Sequence, residues 1–176
     1  VSAIYTIGHS TRSIEDFIGL LRAHAIATLV DIRSFPGSRR YPHFNREALD
    51  ESLAKENIRY VWMKDLGGRR GKQVEHSPNV ALRNPSFRNY ADYMLTPEFK
   101  DGIQQLLEVA SASRTAIMCS EAVYFRCHRM LVSDYLLLHG HDVCHIQNLK
   151  LARPHRVTPE ARLVSDDVIY KADHLR

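Results

Sequence analysis

Apolar residues along the chain alternate between two spacings. Ala3 to Ile7 is a short, partly β-branched apolar run ended by Gly8, the pattern of a buried strand. Ser13 with Asp16 three positions on gives a helix start like a capping box. Ile14, Phe17, Ile18 and Leu21 then fall at i, i+3, i+4 and i+7 on one helical face. Thr28 to Ile32 reads as a second buried strand, Pro36-Gly37 as a turn, Arg46 to Glu56 as a helix with Leu49 and Leu53 inward, and Ile58 to Trp62 as a third strand. The periodicity lapses from Met63 to Ser86, where Gly67, Gly68, Gly71, Pro78 and Pro85 mark a long connection. It returns at Phe87 to Met94, then in a helix opened by Thr96-Pro97-Glu98 that turns Phe99, Ile103, Leu106, Leu107 and Ala110 to one side. Thr115 to Met118 makes a fourth strand, Arg126 to Leu138 a nearly all-apolar helix closed by Gly140, and Val143 to Ile146 a fifth strand.

Strands and helices alternating along the chain predict an α/β fold. The expected architecture is a single-domain three-layer sandwich around a mostly parallel five-stranded sheet, because right-handed crossovers of this length return each strand in the same direction. The tail from about residue 150, with a small helix start at Thr158-Pro159-Glu160, is expected to wrap the sheet edge. Every strand-to-helix loop then emerges on one carboxyl edge, where open α/β folds bind ligands. The loops so placed run from Gly8 to Arg12, Arg33 to Asn45, Met63 to Ser86 and Cys119 to Arg126.

Charge sharpens this picture. The net charge of +4 is modest, but Arg33, Arg39, Arg40 and Arg46 share a stretch without an acid, and so do Arg69, Arg70 and Lys72. Both basic clusters lie on the predicted carboxyl edge. A solvated loop is the plain explanation of either cluster alone; their shared placement points to an anion site. Three cysteines, an odd number at irregular spacing, suit a reducing compartment rather than a disulfide framework. No apolar run approaches the roughly 18 to 20 residues that cross a bilayer, and no basic-then-apolar leader opens the chain. A cytoplasmic protein with no membrane partner is expected, with homo-oligomerisation left open.

The chemistry-bearing residues collect at the same loops. Cys119 follows an apolar strand directly, and a thiol aimed at a helix start beside arginines is an activated nucleophile; burial as a small hydrophobe is the competing reading. Glu121 and His128 are acid/base candidates, although Glu121 would equally hold Arg126 or Arg129 in an ion pair. Gly8, His9 and Ser10 form a tight turn whose N–H groups suit an anion. Asp31 and Arg33 alternate about Ile32, point to one side, and can pair or share a ligand. Pro36, Ser38, Arg39, Gly67, Gly68, Arg69, Cys127 and Arg129 complete the candidate binding set. Phe35, Tyr41, Phe44 and Trp62 could stack on a base, though core packing is their commoner role. A strand-end cysteine followed by an arginine also occurs in the phosphate loop of cysteine-dependent phosphatases. That loop puts five residues between the two, where Cys119 and Arg126 have six between them and no glycine. Cys119, Cys127, His128 and His9 have zinc-ligand chemistry without a zinc spacing, so no metal and no cofactor is assigned. A Cys119 to Cys127 disulfide is a further alternative.

Gly8-His9-Ser10, Asp31-Ile32-Arg33 with Pro36, Leu66-Gly67-Gly68, Cys119-Ser120-Glu121 and Cys127-His128-Arg129 together resemble the domain of unknown function 488 family. The resemblance runs through nearly the whole chain and implies an α/β domain with a shared polar site, without implying a reaction. The leading functional expectation is an enzyme acting on a phosphate-bearing substrate, a nucleotide or nucleic acid. The alternatives are a nucleic-acid or anion-binding module with structural cysteines, and a redox or zinc-responsive protein.

Overall fold

The computed structural model describes residues 3–172. Strands β1 (Ile4–Gly8), β2 (Thr28–Asp31), β3 (Arg59–Trp62), β4 (Thr115–Cys119) and β5 (Val143–Ile146) run parallel in the order β3-β2-β4-β1-β5. β6 (Ala152–Pro154) pairs antiparallel with β5 and forms the sixth, outer strand. Strands β1, β2 and β4 are mostly apolar and buried along nearly their whole length because both sheet faces are covered.

Helices α1 (Ile14–Ala23) and α2 (Arg46–Ala54) cover one face, and α3 (Pro85–Tyr93), α4 (Pro97–Ala112) and α5 (Arg129–Leu138) the other. Alternation along each strand splits the core accordingly. Leu29, Ala116 and Met118 meet Phe17, Leu21, Leu49 and Leu53, while Val30 and Ile117 meet Tyr90, Phe99, Leu106 and Leu136. The result is a three-layer α/β sandwich. The helix starts follow their sequence signals: Ser13 Oγ accepts the Asp16 N–H at 3.1 Å, and Thr96 Oγ1 that of Phe99 at 3.4 Å.

Connections after β1 and β2 lead to the α1/α2 layer, and those after β3 and β4 lead to the opposite layer. β4 inserts between β2 and β1, so loops diverging to both faces meet above it and open a crevice at the carboxyl edge.

Three expectations need correction. The sheet has six strands rather than five, because a three-residue edge strand is too short to show a period. No helix starts at Thr158-Pro159-Glu160; the chain there enters a hairpin of β7 (Ala161–Val164) and β8 (Asp167–Tyr170), turned through Ser165 at φ +55°. The Thr158 N–H is taken by Asp134 of α5, a distant partner invisible to local pattern. The hairpin packs Ala161, Val168 and Tyr170 into the α3–α5 core, leaving the sheet edge to β6. Finally, α5 begins at Arg129 and not at Arg126; residues Tyr124–Arg126 form a separate 3-10 turn. Among the described residues no helix is long and apolar enough to cross a membrane.

Candidate active site

The crevice is a cavity of about 730 Å³ to which the loops after β1, β2, β3 and β4 all contribute. Gly8 sets how closely two of those loops approach. A Cβ there would lie 1.8 Å from the Glu121 carbonyl oxygen, so only glycine lets β1 end against the loop after β4. The contact is secured by His9 N–H to Cys119 O and Ser10 N–H to Ser120 O, each at 3.0 Å, with Ser10 in the left-handed region at φ +50°.

Arg33 is fixed before any ligand arrives. Its guanidinium donates to Asp31 at 2.9 Å and 2.7 Å and to the Phe44 carbonyl at 2.8 Å. Asp31 also accepts the Tyr60 hydroxyl at 2.5 Å, and the Trp62 indole N–H donates to the Arg33 carbonyl at 2.9 Å. Arg33 Nη1 lies 3.4 Å from His9 Nε2, while His9 Nδ1 bonds the Ser10 carbonyl at 2.9 Å and so carries the proton. Burial first, and then the Arg33 charge, lower the His9 pKa to about 4, although its bond to Ser10 and the Asp31 charge oppose this. His9 is a neutral wall of the site.

The two glycines after β3 are spaced for the same cavity. A Cβ on Gly67 would meet Ser34 Oγ at 2.5 Å, and one on Gly68 would meet the His128 ring at 2.4 Å. Ser34 Oγ accepts the Arg69 N–H at 2.8 Å, which brings Arg69 to the mouth, its guanidinium 5.5 Å from the ring centre of Phe35. His128 Nε2 bonds the Ile32 carbonyl at 2.8 Å, so that nitrogen carries a proton.

The cysteines divide their roles. Cys119 is only 2% exposed; its Sγ lies 2.9 Å from Cys127 Sγ, a contact in which either thiol can donate, and 3.6 Å from the Glu121 carbonyl oxygen, which accepts from it. Cys127, half-buried in the cavity wall, also accepts the N–H of Arg129, the first residue of α5, at 3.3 Å. The hydrogen bond with Cys119 lowers the Cys127 pKa well below that of a free thiol; burial opposes this, and His128 and Arg129 reinforce it. The same bond, together with burial, raises the Cys119 pKa. Arg129 adds a buried positive charge nearby. Its guanidinium, 1% exposed, donates to the Glu121 and Ala122 carbonyls at 2.8 Å and 3.2 Å and to Thr6 Oγ1 at 3.1 Å, with no carboxylate paired to it among the described residues. A thiolate at Cys127 would compensate that buried cation.

The structure thus brings His9, Ser10, Arg33, Ser38, Gly68, Arg69, Cys119, Glu121, Cys127 and His128 to one cavity. Gly8, Asp31, Gly67 and Arg129 support it from behind. Pro36 and Arg39 line an adjoining cavity that shares only Gly37 and Ser38 with the first, and Arg40 reaches the main one instead. Glu121 makes no ion pair with Arg126 or Arg129, since Arg129 bonds its main-chain oxygen. Phe44 is core and stacks on His9, whereas Phe35 is 66% exposed at the mouth. Among the described residues no group of three or more His, Cys, Asp or Glu side chains is gathered closely enough to hold a metal ion.

One layer was not anticipated from sequence. Thr6 Oγ1, which receives Arg129, is 2.6 Å from His145 Nδ1; His145 Nε2 is 2.8 Å from His155 Nδ1, and His155 Nε2 2.7 Å from Asp134 Oδ1. Tyr170 closes this buried relay by donating to Asp134 Oδ2 at 2.8 Å. Its members are scattered from β1 to β8, and only a conspicuous count of histidines in an otherwise ordinary composition hints at it.

No curated protein and no solved structure matches the chain. A family model matches residues 13–136, which takes in the Asp31, Gly67-Gly68, Cys119 and Cys127 segments and leaves Gly8-His9-Ser10 just outside. On that match the chain belongs to the family described as Domain of unknown function DUF488.

Proposed function

We propose that the protein is an enzyme acting on a phosphate-bearing substrate, with the Cys127 thiolate as nucleophile. The observation that carries this reading is the setting of Cys127 Sγ, 2.9 Å from the Cys119 sulfur and accepting the first N–H of α5 at 3.3 Å, in the wall of a cavity lined by arginines. The sequence pointed to Cys119 for this role; its burial, and a pKa raised by its bond with Cys127 and by that burial, favour a supporting one.

In this scheme Arg33, Arg40 and Arg69 receive the phosphoryl oxygens. Cys127 Sγ attacks phosphorus, an S–P bond forms as the ester P–O bond breaks, and the leaving oxygen takes a proton at the rim, where Glu121 stands. Water then attacks phosphorus, returning the thiolate and releasing phosphate. His128, oriented by Ile32, is the second acid/base candidate. A panel of phosphate mono- and diesters tests this. The expected result is turnover that falls by roughly a thousandfold or more in Cys127→Ser, with a phosphoryl adduct on Cys127 seen by mass spectrometry at early times.

A nucleic-acid-binding module is the second reading, favoured by Phe35, exposed at the mouth beneath Arg69. No turnover of any ester, with single-stranded oligonucleotide binding that drops steeply with salt and is unchanged in Cys127→Ser, would select it.

A further inference from the structure

We propose that Cys127 and Cys119 form a peroxide-reactive dithiol, with Cys127 the sulfur that is first oxidised and Cys119 the thiol that resolves it. The inference rests on the same Cys127 thiolate as the function above, and not on a phosphate substrate.

Three features of the pair support it. Both cysteines border the open cavity, but Cys127 is half-buried there, so a small oxidant reaches it first, while Cys119 is only 2% exposed. The two sulfurs are already 2.9 Å apart, so a disulfide of about 2.05 Å needs only a small further approach. The Arg129 N–H directed at Cys127 Sγ stabilises charge on that sulfur and not on its partner. Cys144, on β5, has no such setting; it is half-buried, and burial, followed by the Asp142 charge, raises its pKa.

The chemistry balances with hydrogen peroxide as oxidant. Cys127 Sγ attacks one peroxide oxygen, the O–O bond breaks, and the departing hydroxide takes a proton from solvent as water, leaving a sulfenic acid. Cys119 Sγ then attacks Cys127 Sγ, the S–O bond breaks, and that hydroxide leaves as water with the Cys119 proton. Two thiols have lost two electrons and peroxide has become two waters. An added dithiol reverses the change by thiol–disulfide exchange. In the disulfide form Cys127 has no thiolate, so peroxide would switch off the ester chemistry.

The test uses the full reduced chain, treated with hydrogen peroxide and followed by thiol count and peptide mass spectrometry. The expected product is one Cys119–Cys127 disulfide, with Cys144 still reduced and both thiols recovered by dithiothreitol. Cys119→Ser should accumulate a dimedone-reactive sulfenic acid at Cys127, and Cys127→Ser should slow oxidation at Cys119 at least tenfold. The inference is overturned if Cys127 passes to sulfinic acid with Cys119 still reduced, or if Cys144 oxidises as fast as the pair. Alkylation of Cys127 at pH 6 in the same preparation separates the two proposals. Fast alkylation without disulfide formation rejects the dithiol and spares the nucleophile; inertness to both reagents rejects both.

Discussion

Arg33 and Arg22 each hold a carboxylate, in very different surroundings. The Arg33–Asp31 pair is 7% and 0% exposed, while Arg22–Glu56 is 62% and 33% exposed. Water screens the second pair and competes for its hydrogen bonds, so its contribution is small. Removing the charge of Asp31 leaves a buried guanidinium uncompensated, and also weakens the acceptor of the Tyr60 hydroxyl. Asp31→Asn should therefore lower the unfolding free energy by about 3 kcal/mol, against about 0.5 kcal/mol or less for Glu56→Gln. Urea unfolding of both variants at pH 7 checks this; equal losses would mean that Asp31 does not anchor Arg33. The pairing itself was legible, because residues two apart on a strand share a side. The division between the two cysteines was not. Cys119 reads as the nucleophile from its place at a strand end, whereas its burial and the helix-start N–H received by Cys127, both tertiary facts, favour Cys127 under the proposed function.

The α/β alternation was readable because each long helix shows one apolar face and each central strand a short, mostly apolar run. What escaped were short or remotely held segments. β6 has three residues, and the β7–β8 hairpin replaced a locally sound helix start because Asp134, twenty-four positions earlier, takes the Thr158 N–H. A three-residue error at α5 mattered most for function. Beginning the helix at Arg126 puts Cys127 inside its first turn, where its sulfur would point along the helix side. Beginning it at Arg129, with His128 as N-cap, puts Cys127 just before the helix and lets its sulfur receive the first N–H. The relay of Thr6, His145, His155, Asp134 and Tyr170 was illegible for a similar reason. Thr6 and His145 are 139 positions apart, and nothing in the local pattern of either marks the contact.

At the scale of the whole molecule, buried histidines make stability depend on acidity. Burial, reinforced by neighbouring positive charge, lowers His145 to about 3, and His9 is lowered to about 4. Both folded values lie below the ordinary 6.5, so the unfolded chain takes up protons first. The stability these histidines contribute is present above that value and is lost as pH falls from 6.5 toward 4 and 3. Between pH 7 and pH 5 each should cost about 1–2 kcal/mol, read as a lower urea midpoint that His145→Gln partly removes; a midpoint flat across that range would contradict the buried neutral histidines. Reactivity at Cys127 is therefore best followed above pH 5.5, where the fold holds. The measurement that tests the account most directly is the alkylation rate of each cysteine with iodoacetamide from pH 5.5 to 9, mapped by peptide mass spectrometry. The structure predicts a Cys127 rate already high at pH 5.5 and nearly flat above it, with Cys119 silent until the protein unfolds. A Cys127 rate that climbs only through the ordinary thiol range near about 8.5, or a Cys119 that reacts first, would contradict it.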